Sequence, residues 1–329
     1  MNSTSTSSLQ QLQTQLREAI EQLTFERDPQ ELYDPISYIL SLGGKRMRPL
    51  LVLLGCEIFS DQPLKSLPQA LAVEIFHNFT LLHDDIMDQA PLRRNQPTVH
   101  EKWNPNIAIL SGDVMLVIAY QHLLQCEPEF LPSLLKEFNA CAIGVCEGQQ
   151  MDMNFETADQ VAIGNYLTMI GLKTAVLLGA SLKMGAIIGG ASERDAQMIY
   201  DFGYHTGVAF QLQDDILDVY GDKEKFGKRI GGDILSNKKT FLLLKALELA
   251  EGETLTELQN WIDATDPKPE AKVAVVTGIY DRLNVKELAR SEMDRYYQRG
   301  LDCLAAISVN ETGKAGLRDF TDRLMVREH

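Results

Sequence analysis

Apolar residues recur at intervals of three and four along almost the whole chain, as in Leu9, Leu12, Leu16, Ile20 and Leu23, or in Leu50, Leu51, Leu53, Leu54 and Ile58. That spacing matches the turn of an α-helix and gathers each set on one face. Alternating β-branched runs are scarce, and turn formers fall between the periodic segments: Asp28-Pro29, Gly43-Gly44, Asn104-Pro105, Glu127-Pro128, Gly189-Gly190, Gly231-Gly232 and the stretch DPKPE at 266–270. The fold class predicted is all-α, with roughly ten or more helices on short links. No composition shift or Ser-, Gly- or Pro-rich linker divides the 329 residues. One large domain is therefore expected over residues 9–329, after a frayed tail over residues 1–8.

Composition narrows the function classes. A chain with 45% hydrophobic and 23% charged residues has the profile of a soluble globular protein. Its formal net charge of −15 argues against nucleic acid or an anionic membrane surface as partner. The start, MNSTSTSSLQ, lacks the basic and apolar parts of a signal peptide, and the five cysteines are scattered without CxxC spacing, so reduced thiols and a cytoplasmic location are expected. Asp113 and Lys183 interrupt the longest apolar runs, at 107–124 and 174–190, which read as central bundle helices rather than membrane spans.

Against this background one pattern occurs twice. Asp84, Asp85 and Asp88 stand in LLHDDIMD, and Asp214, Asp215 and Asp218 in FQLQDDILD. The first and last acids of each set lie at i and i+4, where like charges repel on one helix face. A buried carboxylate is strongly penalised unless compensated, and a coordinated cation compensates it. Hard oxygen donors without His or Cys favour Mg²⁺ over zinc. A single such cluster reads more often as a solvated helix end. Two copies, each behind an apolar stretch and each followed by basic residues, point to facing clusters that grip Mg²⁺ ions on a diphosphate.

The basic residues fit that picture. GGKRMRP at 43–49 sets Lys45 and Arg48 three residues apart beside a flexible glycine pair. Arg93 and Arg94 follow the first acid motif, Lys173 and Thr174 stand in LKTA, and Lys228 and Lys238 follow the second motif. Singly each reads as a solvated charge. Together they suggest two diphosphate sites, one bound through metal and one held by guanidinium and ammonium groups alone.

From about Gly43 to Thr240 the ordered set GGKRMRP, HNFTLLHDDIMD, LRRNQPT, LKTA, GVAFQLQDDILDVYGD, FGKRIGGD and NKKT resembles the trans-isoprenyl diphosphate synthases of the polyprenyl synthetase family. The resemblance implies a helical bundle around a deep central cavity, the isoprenoid synthase fold, in a Mg²⁺-dependent homodimer. It assigns the metal cluster to Asp84, Asp88 and Asp214, with Asp85 and Asp218 in support. Lys45, Arg48, His77 and Arg94 would bind isopentenyl diphosphate, and Arg93, Lys173, Thr174, Gln211, Lys228 and Lys238 its allylic partner. A lone His on an apolar helix is more often a core residue, but the place of His77 one or two turns before the acids points to binding. His83, next to Asp84, keeps a structural reading.

The chemistry implied is ionisation, condensation and elimination. Mg²⁺ and cations stabilise the departing diphosphate, the double bond of isopentenyl diphosphate attacks the allylic cation, and a proton is lost, with the released diphosphate as acceptor. Lys173, Thr174 and Gln211 would shield the cation through their dipoles. Phe79, five residues before Asp84, would form the floor under the growing chain, with small Thr80 beside it. An aromatic residue there, in a motif without a two-residue insertion, is similar to geranylgeranyl synthases, so a C20 product is expected, with C15 as the nearest alternative. A class I terpene cyclase would replace the second motif and have no use for the Lys45, Arg48 and His77 clamp. A catalytically silent subunit would lose acids or clamp residues.

Overall fold

The computed structural model describes residues 3–221 and 231–325, with side chains from Leu9 onward. Helices account for nearly all of its regular structure: α1 (Ser3–Glu21), α2 (Gln30–Ser41), α3 (Met47–Phe59), α4 (Leu67–Met87), α5 (Val99–Lys102), α6 (Pro105–Leu123), α7 (Leu131–Thr157), α8 (Ile163–Ile170), α9 (Val176–Gly189) and α10 (Glu193–Tyr220), followed by others from Gly232 to Met325. Among the described residues the strands are β1 (Leu92–Arg93) and β2 (Gln96–Pro97), a two-stranded antiparallel hairpin. The all-α expectation holds.

The sequence predicts a frayed tail through residue 8, whereas the backbone is helical from Ser3. Once the buried stripe Leu9, Leu12, Leu16 and Ile20 has formed α1, each added residue gains a backbone bond without a new nucleus. Ser and Thr disfavour the helix by only a few tenths of a kcal/mol each, roughly.

Two compact units divide the chain, and each is assembled from separate stretches: residues up to 139, 180–200 and 307–319 in the first, and 140–179, 201–306 and 320 onward in the second. Such interleaving is why no linker marks a boundary. The first unit is built on α4, which packs against α3 and α6 and buries Ala70, Val73, Ile75, Phe76 and Leu82. Pro49 through Cys56 are buried without a break, so α3 is apolar on every side, as a core helix must be. Asn104 starts α6 by accepting the Ile107 N–H at 2.9 Å, with Pro105 in the first turn.

The second unit has its own core, in which Tyr166, Met169, Ile170 and Ala175 pack with Val208, Leu212, Ile216, Phe241, Leu244, Ile279 and Tyr280. Between α8 and α9 the backbone loosens into a π-turn over Gly171–Ala175. By length and composition alone, Pro105–Leu123 and Ile163–Gly189 are apolar enough to cross a membrane, but 72% of the second is buried in the protein, as a core helix would be. Only 33% of the first is buried.

Candidate active site

The basic cluster of the first unit begins at a strained turn. Gly43 and Gly44 have φ of 77° and 132°, and Arg46, which precedes α3, is left-handed at 48°. A residue with a side chain stays in that region only where its surroundings over-determine it. Here Arg46 pairs with the buried Glu74 of α4 and donates to the Leu40 carbonyl at 2.5 Å. Asn78 donates to the same Glu74 carboxylate at 2.6 Å and to the Glu74 carbonyl at 2.8 Å.

This turn leads into Arg48, whose Nη1 lies 3.3 Å from His77 Nε2. A guanidinium only donates, so Nε2 is the acceptor and the imidazole proton sits on Nδ1. Burial, then the charges of Arg48, Arg94, Arg93 and Arg46, hold His77 well below its ordinary pKa. It is therefore neutral, with four guanidiniums close enough to repel a proton. Lys45 is exposed on the same turn.

The hairpin supplies the other cations. Arg94 and Asn95 are left-handed at 53° and 61°, the two central positions of a tight turn whose twist suits a hairpin. Tyr38 anchors it by donating its hydroxyl to the Pro97 carbonyl at 2.7 Å. The Arg94 guanidinium lies on the Gly44 backbone, where a Cβ would come within 2.6 Å of Nη2, so a side chain at 44 would displace it and also be strained at that positive φ.

Both acid motifs show one arrangement, in which the middle aspartate is withdrawn and the outer two are less buried. Asp85, 2% exposed, takes both contacts of a fork from Arg93, Nε to Oδ2 at 2.8 Å and Nη2 to Oδ1 at 2.7 Å. Asp84 is half-buried, with Oδ2 at 4.0 Å from Arg93 Nη2, and Asp88 is exposed at the C-terminus of α4. The sequence groups Arg93 with the allylic residues, but its side chain is engaged by Asp85 in the first unit.

In the second unit, Asp215 of α10 is buried and accepts from the Tyr166 hydroxyl and from Gln211 Nε2 at 3.4 Å. Burial, with repulsion from Asp233, pushes its carboxyl up to about 7 despite those bonds and the Lys238 charge. Asp214 and Asp218 are half-buried, and Asp218 Oδ2 accepts the Asp233 N–H at 2.9 Å. Lys173 lies in the π-turn and pairs with Asp152 at 2.7 Å, and Thr174 follows it, half-buried. Lys238 is exposed, its N–H bonded to the Asp233 carbonyl at 2.9 Å. Lys228 lies outside the described residues.

Among the described residues, no three His, Cys, Asp or Glu side chains form a ready-made metal cage. The donor set nevertheless suits Mg²⁺, which keeps several waters and is commonly held by one or two carboxylates plus substrate phosphates.

Sequence reasoning passed over Arg46, Glu74, Asp152, Tyr166 and Asp233. Arg46 and Asp233 stand inside the motifs GGKRMRP and FGKRIGGD, whereas Glu74, Asp152 and Tyr166 are paired by tertiary contact and leave no periodic signal.

The polyprenyl synthetase family profile matches residues 29–279. A geranylgeranyl diphosphate synthase from Methanosarcina mazei is 36% identical over 313 residues, 94% of each chain. A crystal structure of a geranylgeranyl pyrophosphate synthase superposes with a TM-score of 0.92 at 43% identity, covering 100% of both chains. The Corynebacterium glutamicum geranylgeranyl pyrophosphate synthase, solved with isoprenyl diphosphate and magnesium, gives 0.81 at 26% identity over 98% of each. With its two aspartate motifs carried on an all-α isoprenoid synthase fold, the chain belongs to the polyprenyl synthetase family.

Proposed function

We propose that this short-chain trans-prenyltransferase makes a C20 all-trans prenyl diphosphate, condensing isopentenyl diphosphate with an allylic diphosphate, with residues of both units serving one activity. The observation that carries the reading is the placing of Arg48 and Arg94 by neutral His77, backed by the ion-paired Arg46 and Arg93, on the helix that carries Asp84 and ends at Asp88. A diphosphate needs such positive charge, and the metal it carries needs the acids two and three turns further on.

Asp84, Asp88 and Asp214 would hold Mg²⁺, with Asp85 and Asp218 in support. When bound, the ions stabilise the charge that builds on the departing diphosphate. Lys45, Arg48, His77 and Arg94 bind isopentenyl diphosphate and hold its double bond within reach of the allylic carbon. Lys173, Lys228 and Lys238 bind the allylic diphosphate, and Arg93 adds its charge while fixing Asp85. Thr174 and Gln211 turn oxygen dipoles toward the allylic cation, and the released diphosphate accepts the proton. Phe79 closes the apolar channel at its foot, beside Thr80.

A homodimer accounts for α6, which exposes Ile109, Leu110 and Val117 on a helix otherwise composed as a core element. The free cysteines suit a reducing cytoplasm.

Purified protein incubated with labelled isopentenyl diphosphate, an allylic diphosphate and Mg²⁺ is expected to yield mainly C20 product, and none in excess chelator. Product formation undiminished by the chelator would refute the metal assignment, and a C15 product the chain length.

A further inference from the structure

Phe79 does not stand alone. Its ring is 4.7 Å from the imidazole of His83, edge-on at 64°, and 5.7 Å from Phe76 on its other side. Phe76 is buried and packs on Phe138 at 5.0 Å, so that side is fixed by the core. The opposite side depends on His83, one helical turn after Phe79 on α4.

His83 is held in turn by α6. Its Nε2 lies 3.2 Å from the Ile109 carbonyl, an oxygen that only accepts, so the imidazole donates there. The ring rests on the backbone of Gly112, where a Cβ would overlap Nε2 and come within 2.7 Å of Cδ2. Alanine at 112 would push the ring off its seat. A half-buried imidazole with one fixed hydrogen bond, seated against a glycine and edge-on to a phenyl ring, is a brace with little freedom to rotate.

We infer that His83 is a positioning residue for product length: seated on Gly112 and the Ile109 carbonyl of α6, it holds the Phe79 ring across the path of the growing chain. The inference rests on the reading of Phe79 as the floor. Without its brace the ring swings to another rotamer and opens room for a further isoprene unit. His83 touches neither diphosphate nor metal in this scheme, so the first condensation keeps its rate.

The test compares Phe79→Ala, His83→Ala, Gly112→Ala and the double variant Phe79→Ala/His83→Ala by chromatography of labelled products, with kcat and KM for the allylic substrate. His83→Ala and Gly112→Ala are expected to raise the ratio of C25 to C20 product by about tenfold, the scale on which apolar pockets discriminate. KM for the allylic substrate is expected to change by less than about twofold, since no ground-state contact is lost. In the double variant the product distribution should match that of Phe79→Ala alone. If Phe79→Ala lengthens the product while His83→Ala does not, the brace is refuted and the floor stands. If His83→Ala lengthens it equally with and without Phe79, His83 acts on its own and the brace is again refuted. If Phe79→Ala changes nothing, the floor itself is wrong. Should Gly112→Ala fail to fold, His83→Ala decides the matter.

Discussion

Replacing Asp215 with Asn should remove a specific part of the pH dependence of stability. Burial, with Asp233 nearby, raises the Asp215 carboxyl from 3.8 to about 7, against the opposing effects of Tyr166, Lys238 and Gln211. The folded protein thus holds this proton more tightly than the unfolded chain does. Stability from this group is full below about pH 4, falls as the pH rises to about 7, and is level above that. Between about pH 5.5 and about pH 8 the loss comes to about 2 kcal/mol, at about 1.4 kcal/mol for each tenfold in proton affinity. Asn keeps the shape and an acceptor for Tyr166 but carries no titrating proton. Thermal melts in chelator should show the wild type losing about 4 °C more than Asp215→Asn over that interval, at about 2 °C per kcal/mol. Comparing the two proteins at each pH cancels every other titrating group. Parallel pH profiles would refute the claim that Asp215 is held protonated near neutrality.

Arg48→Ala removes one cation of the clamp and the partner of His77. KM for isopentenyl diphosphate should rise by about tenfold to a hundredfold, the worth of a charged hydrogen bond. The defect should shrink at high salt, where the wild type also weakens, and an unaltered KM at low salt would exclude Arg48 from the clamp. Asp152→Asn frees Lys173 from its 2.7 Å ion pair. KM for the allylic diphosphate should then change by about tenfold while KM for isopentenyl diphosphate stays put, and equal effects on both would count against separate sites. Gly185→Ala introduces a Cβ that overlaps the Val52 carbonyl and approaches the Cys56 nitrogen to 2.9 Å. The melting midpoint should fall by an amount equivalent to about 1–3 kcal/mol, and a variant as stable as the parent would show that α3 can yield.

What the sequence made legible was whatever depends on spacing along one helix. The i and i+4 separation of Asp84 and Asp88 and the all-apolar character of α3 could be read directly. The π-turn that carries Lys173 could not, because GLKTA reads as ordinary helix and the extra residue per turn follows from packing in the second unit. The left-handed Arg46 was equally invisible, since its conformation is held by Glu74, 28 residues away. The interleaved units left no trace because each is stitched from three stretches of chain.

The withdrawal of the middle aspartate answers the objection that three clustered acids on one helix should repel one another. Arg93 neutralises Asp85 with a full guanidinium fork, whereas burial raises the Asp215 carboxyl to about 7, against the bond from Tyr166, so that it carries only part of a charge near neutrality. The partners differ and the electrostatic outcome is the same: the outer two carboxylates carry most of each motif's negative charge, one helical turn apart. A pair at that spacing repels by only a few tenths of a kcal/mol, roughly, which a divalent cation readily offsets. The middle position therefore acts through its buried partner, and exchanging those partners is more disruptive than their size suggests. Tyr166→Phe leaves the Asp215 carboxyl short of its donor in a buried site, at a cost of about 1–3 kcal/mol.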